Sequence, residues 1–301
     1  MTNDKDLPRI LDGGLSNVLE AYGCDLNHDL WSARLLQSDP DKILRTHLDY
    51  LEAGARWITT SSYQASIEGF MNSGLGEDEA RSLLLNSVNL AEKARAIFNS
   101  RLETPEKIYI AVSMGPYGAV LADGSEYTGN YGVPDKVLRD FHRQRIDVFE
   151  NSNADYYAFE TIPSLTEINV LSSMIDTLSK PCWISFSCRD ALHLNDGSLI
   201  DRAAGVLRDH KGVFAVGVNC TAPRYISDII SVLSKSVPDK KIIVYPNSGE
   251  VYDPERKTWS GISDPEEFGR MALEWRQKGA DIIGGCCRIG PEHIQRIRDM
   301  I

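Results

Sequence analysis

The sequence lacks any apolar run approaching the length that spans a bilayer. Its start, MTNDKDLPRI, carries no hydrophobic stretch of the kind that directs export. A cytoplasmic location and no membrane partner are the corresponding expectations. Positive charge is also in deficit: 32 Lys and Arg stand against 43 Asp and Glu, for a net charge of -11. That balance disfavours a nucleic-acid partner, because gripping a phosphate backbone needs a basic surface. Cysteine is scarce, six in 301 residues, too sparse for a disulfide scaffold. None of the histidines falls into zinc-ligand spacing, so a hydrolase working through a histidine-held activated water has little support. No Gly-x-Gly-x-x-Gly follows the first strand-like segment, where Asp12-Gly13-Gly14 stands instead, and a dinucleotide fold is disfavoured. No low-complexity tract interrupts the chain, so residues 1–301 read as one domain.

What is present is alternation. Short β-branched runs at Arg9–Asp12, Arg56–Ser61, Ile108–Ser113, Tyr156–Glu160, Trp183–Ser187, Phe214–Asn219, Ile242–Pro246 and Asp281–Gly285 read as strands. Between them lie segments with apolar residues three and four apart, among them Pro40–Ala53, Glu77–Asn99, Pro134–Asn151 and Pro265–Lys278. Eight strands, each followed by a helix, predict an α/β fold of the (β/α)8 TIM-barrel class. Two Ala-Gly-Ala-like steps, at 53–55 and 278–280, read as helix ends that re-enter a strand. The longer connections, 13–39, 114–133 and 247–264, all follow strands, at the rim where barrels place their active sites.

Three cysteines fall at strand ends on that rim. Cys220 follows the sixth predicted strand; Cys286 and Cys287 follow the eighth, after Gly284 and Gly285, whose freedom would allow sharp curvature. Three thiolates make a soft site suited to one zinc ion, with a fourth position open. The alternative is that the trio is buried and packs one end of the barrel. Cys24, Cys182 and Cys188 read as structural; Cys182 opens a strand, at the wrong end, and Cys188 ends one and could approach the rim. Three cysteinates weaken zinc as a generator of hydroxide but leave it able to hold a substrate thiol, ordinarily of pKa about 8.5, as thiolate. Alkyl transfer to sulfur follows more naturally than hydrolysis.

The segments LDGGLSNVLE, HDLWSA, HLDYLEAGA, TTSSYQAS, GPYGAVLADGSEYTGNY, FETIPSLTEI, GVNC, VYPNSGE and GGCCRIGP run along nearly the whole chain. With them the sequence resembles the homocysteine S-methyltransferase family, in its S-methylmethionine- or S-adenosylmethionine-using branch. The resemblance implies that Cys220, Cys286 and Cys287 ligate zinc, with the sulfur of L-homocysteine as the remaining ligand. It implies that Asp12 sits beside the substrate and that Glu160 receives its amino group, by charge-assisted hydrogen bonding. Thr60, Ser61, Tyr63, Gln64, Met114, Gly115 and Asn219 are the expected pocket walls, and Tyr245 and Asn247 the expected donor side. The product would be methionine. Betaine as donor, selenocysteine as acceptor, and a non-catalytic barrel that binds zinc or an amino acid are the alternatives.

Overall fold

The computed structural model describes residues 7–26, 31–249, 251–253, 258–260 and 263–301. Helices α1 (Leu15–Ala21), α2 (Leu35–Ser38) and α3 (Pro40–Ala53) precede the first strand, β1 (Trp57–Thr59). Helices α4 (Ile67–Asn72) and α5 (Glu77–Ser100) lead to β2 (Tyr109–Met114), and α6 (Tyr117–Leu121) and α7 (Asp135–Phe149) to β3 (Tyr156–Ile162). There follow α8 (Leu165–Ile175), β4 (Cys182–Phe186), α9 (Ile200–Leu207), β5 (Val213–Asn219), α10 (Ile226–Ser236) and β6 (Lys241–Tyr245). The last elements are β7 (Val251–Asp253), β8 (Thr258–Ser260), α11 (Pro265–Lys278), β9 (Ile282–Ile283) and α12 (Pro291–Met300).

Seven strands form one curled parallel sheet in the order β1-β2-β3-β4-β5-β6-β9. Parallel pairing requires a crossover between neighbours, and the helices supply it while covering one face. The strands accordingly read as continuous apolar runs: every residue of β2 and of β4 is buried. Helix ends follow local chemistry. Ser66, Ser164 and Asp264 accept hydrogen bonds from the first turns of α4, α8 and α11. Gly54 and Gly279, at the ends of α3 and α11, both take φ of 115°, which returns the chain toward the sheet as expected of the two Ala-Gly-Ala-like steps.

Two expectations need correction. Arg9–Asp12 is not a ladder-forming strand, so the sheet has seven strands rather than eight. Instead Ile10 bridges Ile283 and Leu11 bridges Trp57, each singly and in parallel. Backbone bonds run both ways from this segment, from Leu11 N to Ile283 O at 2.9 Å and from Asp12 N to Trp57 O at 3.0 Å. The turn at Gly13-Gly14 into α1 ends it before a ladder can develop. The connection 247–264, expected as loop, contains β7 and β8, paired antiparallel. His28 to Leu30 of the HDLWSA segment and Glu250 of VYPNSGE lie outside the described residues.

The buried residues divide into two bodies. A large one fills the layer between sheet and helices and includes Ile58, Val112, Met114, Phe159 and Val218. A smaller one lies on the other face of the sheet: Leu11, Trp57, Tyr109, Ala111, Ala158, Trp183, Ala215, Ile243, Tyr245 and Ile282. It takes a residue from each of the seven strands and from the 9–12 segment, with Trp57 stacked on Tyr109 at 4.3 Å. Among the described residues no helix is long and apolar enough to cross a membrane.

Candidate metal centre

Cys220 stands immediately after β5, with φ of 47°. A left-handed backbone at a non-glycine residue is costly, on the order of 1 kcal/mol or more, and persists where surrounding structure enforces it. Thr161 and Arg288 share that conformation, at φ of 63° and 66°; each adjoins a predicted site residue, Glu160 and Cys287. The loop carrying Cys286 and Cys287 is laced to its surroundings. Cys286 N donates to Pro246 O at 2.9 Å, Gly285 N to Asp12 O at 3.0 Å, and Ser248 N to Cys287 O at 3.1 Å. Gly284 and Gly285 act here by close approach and not by curvature, since neither has positive φ. A Cβ on Gly284 would lie 2.6 Å from Asp12 O, and one on Gly285 2.0 Å from the Ile289 side chain.

The three sulfurs converge. Sγ of Cys220 is 2.6 Å from that of Cys286 and 3.5 Å from that of Cys287, and the latter two are 4.0 Å apart. All three cysteines are free and half-buried, and among the described residues they are the one group placed to hold a metal ion. Zinc bonded to thiolates at about 2.3 Å has sulfur–sulfur edges of about 3.8 Å. Two of the three edges match, and the Cys220–Cys286 edge has to open. Without a cation the thiols share protons. The hydrogen bonds from Cys220 and Cys286 hold Cys287 well below the ordinary thiol range. Cys220 is pushed up, foremost by its contact with Cys286, while in Cys286 the lowering contact with Cys220 is outweighed by Cys287 and by burial. A divalent ion would resolve this conflict by stabilising all three as thiolates. The donor set therefore fits zinc. Cys182 and Cys188 are buried, and burial raises both thiols, Cys182 to about 12.

Asp12 and Glu160 are both buried. Asp12 accepts from Thr59 N at 2.7 Å, yet burial raises its carboxyl well above the usual range, with the charge of Glu160 adding to the rise. Burial likewise lifts Glu160 to about 7, against the hydrogen bond donated by Ser113 and with help from the charge on Cys286. Burial, and for Asp12 the charge of Glu160 as well, thus disfavour the ionised forms of this pair.

Asn219 links Cys286 to Ser185 and to Thr161, the residue after Glu160. Its Oδ1 accepts from Thr161 N at 2.7 Å and Ser185 Oγ at 2.8 Å, and its Nδ2 donates to Thr161 Oγ1 and reaches Cys286 Sγ at 3.9 Å. Tyr245 points to the inner face, where Trp183 Nε1 donates to its hydroxyl at 3.0 Å and Ser185 Oγ lies at 2.5 Å. Thr60 Oγ1 receives Ser113 N at 3.0 Å, and Ser61 buries a hydroxyl that has no partner among the described residues. Burial raises the Tyr63 hydroxyl well above the ordinary phenol range, with Cys220 adding to the rise. The remaining predicted residues make structural contacts, some local and some between elements. Gln64 Nε2 donates to Ala119 O at 2.6 Å, Asn247 Oδ1 accepts from Gly249 N, and Met114 packs in the sheet–helix layer. Gly115 O accepts from Arg145 Nη1 at 2.8 Å.

Sequence reasoning missed several participants. Thr59, Ser113 and Ser185 were within its reach. Strand side chains alternate, so counting two on from the inner-face residues Trp57, Ala111 and Trp183 lands on them. Arg145 had no such signal. It is fully buried on α7, and its Nη2 donates to Ser62 O and Tyr63 O, both at 3.0 Å, tying the loop after β1 to the loop after β2.

Comparison with known proteins gives a consistent picture. The family profile described as homocysteine S-methyltransferase matches residues 9–301. The chain is 47% identical over 293 residues to the homocysteine S-methyltransferase YbgG of Bacillus subtilis, covering 96% of this chain and 92% of that protein. It is 40% identical to the selenocysteine methyltransferase of Astragalus bisulcatus, over 96% and 90% of the two chains. The metallated form of the homocysteine methyltransferase MmuM from Escherichia coli superposes with a TM-score of 0.87 at 35% identity, over 99% of this chain and 96% of that one. With the match running from the first inner-face segment to the last residue, the chain belongs to the homocysteine S-methyltransferase family.

Proposed function

We propose that this protein transfers a methyl group from a sulfonium donor, S-methylmethionine or S-adenosylmethionine, to the thiol of L-homocysteine, forming methionine. The observation that carries the reading is the convergence of Cys220, Cys286 and Cys287 within 4.8 Å, joined through Asn219 to Thr161, the neighbour of Glu160. One zinc ion, held by the three cysteines, would supply the positive charge that keeps a substrate thiol deprotonated at neutral pH. The chain's own groups place the reactants. Glu160 and Asp12 receive the substrate ammonium, whose charge holds both ionised despite their burial. The unpartnered Ser61 hydroxyl is offered to the substrate carboxylate. Asn219 donates toward Cys286 and restrains that sulfur. The new S–CH3 bond forms on the homocysteine sulfur as the donor's C–S bond breaks, its electron pair leaving on a neutral thioether. Collinear placement of nucleophile, methyl and leaving sulfur is then the main source of rate.

The eight-fold origin of the inner apolar body supports a closed (β/α)8 barrel, with 9–12 as the stave between β9 and β1 and residues 1–301 as one domain. Six uncrosslinked thiols favour a reducing compartment such as the cytoplasm. Selenocysteine as an alternative acceptor draws support from the 40% identity to the Astragalus enzyme. The test is a zinc-loaded assay of methionine formation with S-methylmethionine, S-adenosylmethionine and betaine in parallel, with Cys286→Ala and its metal content alongside. Sulfonium-dependent turnover that vanishes with the metal in the variant supports the reading; full activity in zinc-free protein refutes it, and betaine-only turnover moves the donor assignment.

A further inference from the structure

The stretch from Tyr117 to Tyr131 contains most of the segment GPYGAVLADGSEYTGNY, and the roles assigned above leave it unused. It is held by unusual means. Glu167, fully buried on α8, accepts from Tyr117 N at 2.8 Å and from the Tyr131 hydroxyl at 2.9 Å, and meets His142 Nε2 at 2.8 Å. Gly118 lies so close beneath the returning chain that a Cβ there would come within 2.5 Å of Glu126 N. Tyr127 N donates to Gly124 O and Gly129 N to Ser125 O, closing the turn. A segment buttressed in this way presents a fixed surface.

What it presents is Glu126 and Tyr127. Glu126 buries Oε2, and this oxygen has no hydrogen-bond partner among the described residues. A buried carboxylate oxygen without a partner is destabilising and calls for a reason. Among the described residues no basic side chain pairs with it; the groups within its electrostatic reach include Asp123, whose negative charge adds to its own, and Cys287, Tyr63, Tyr127 and Tyr131. Tyr127 is half-exposed. An acid within electrostatic reach of three tyrosines and of Cys287 repels anions and attracts a soft organic cation.

We propose that Glu126, with the rings of Tyr127 and Tyr63, receives the positive charge of the methyl donor and sets the requirement for a cationic sulfonium. The inference rests on the methyl-transfer reading above. Charge on the donor sulfur is lost during transfer, so Glu126 favours the bound donor more than the transition state. Its removal therefore raises donor KM and leaves kcat unchanged or raised.

The experiment compares wild-type and Glu126→Gln proteins, both zinc-loaded, for KM and kcat with each substrate, for inhibition by the trimethylsulfonium ion, and for unfolding midpoint. Expected are a donor KM raised about tenfold or more, weaker trimethylsulfonium inhibition, unchanged homocysteine KM and zinc content, and a midpoint equal to or above that of the wild type. The last result separates a binding role from a structural one, because loss of a structural carboxylate lowers the midpoint. Unchanged donor KM overturns the inference, as does a rise confined to homocysteine KM or a fall in zinc content. Wild-type protein inactive with every sulfonium donor overturns the methyl-transfer reading itself, and this inference with it.

Discussion

Replacing Arg145 by Met tests whether one buried cation holds the loops after β1 and β2 together. The guanidinium makes three hydrogen bonds of 2.8–3.0 Å, to the carbonyls of Gly115, Ser62 and Tyr63. Charged-donor hydrogen bonds contribute about 1.5–3 kcal/mol each, so the gross loss is about 4.5–9 kcal/mol. Against it stands the desolvation of the guanidinium, which is fully buried and whose pKa burial lowers to about 10. The net destabilisation expected for breaking such a buried charged cluster is about 3–5 kcal/mol. A folded protein with a stability of about 5–15 kcal/mol survives that loss with a narrowed margin. The cysteines stand on other elements, after β5 and β9, so zinc content stays at one per chain while homocysteine KM rises several-fold as the loops after β1 and β2 part. Urea unfolding monitored by far-UV circular dichroism, together with metal analysis and steady-state kinetics, measures all three quantities. A destabilisation under about 1 kcal/mol, or loss of zinc with unaltered KM, would refute the assignment of Arg145 as the tie between these loops.

Two further outcomes follow from other sites. His47 is buried on α3, neither ring nitrogen has a partner among the described residues, and burial lowers its pKa to about 4. The folded state therefore keeps it neutral where the unfolded chain, at about 6.5, has taken up a proton. His47 therefore costs nothing through protonation above pH 6.5 and destabilises the fold as pH falls toward 4, by on the order of 3 kcal/mol in all; His47→Leu should flatten that part of the stability–pH curve, and an unchanged slope would contradict it. Gly285→Ala should displace the cysteine loop, since the new methyl would sit 2.3 Å from Ile289 Cβ. Metal analysis and circular dichroism should show lost zinc with retained helix content, and normal zinc stoichiometry would show that the close approach does not matter.

How far the sequence foretold this arrangement depends on the range of the interactions involved. Strand positions from β1 to β6 were legible because parallel strands are covered on both faces and read as apolar runs. The cysteines were legible because they stand at strand ends, which share one rim. Less visible was anything set by contact between distant segments. The 9–12 stretch resembles a strand in composition, but its pairing depends on β1 and β9 and amounts to two single bridges. The left-handed backbone at Cys220 follows from its tertiary surroundings, since no glycine or asparagine stands there to announce it. Gly284 and Gly285 were noticed for a reason the structure corrects, because the crowding by Asp12, Leu11 and Ile289 that requires them comes from outside the motif. Arg145 lies 30 residues from Gly115 and 83 from Ser62, and nothing local marks it.

The central claim is that three cysteine sulfurs hold a metal with a position left for a substrate sulfur. X-ray absorption at the zinc K-edge, on zinc-loaded protein before and after addition of L-homocysteine, tests it most directly. Three sulfur ligands and one lighter ligand rising to four sulfurs on addition is the predicted result, with distances of about 2.3 Å. Four sulfurs already present without substrate, or a coordination shell that homocysteine leaves unchanged, would contradict it.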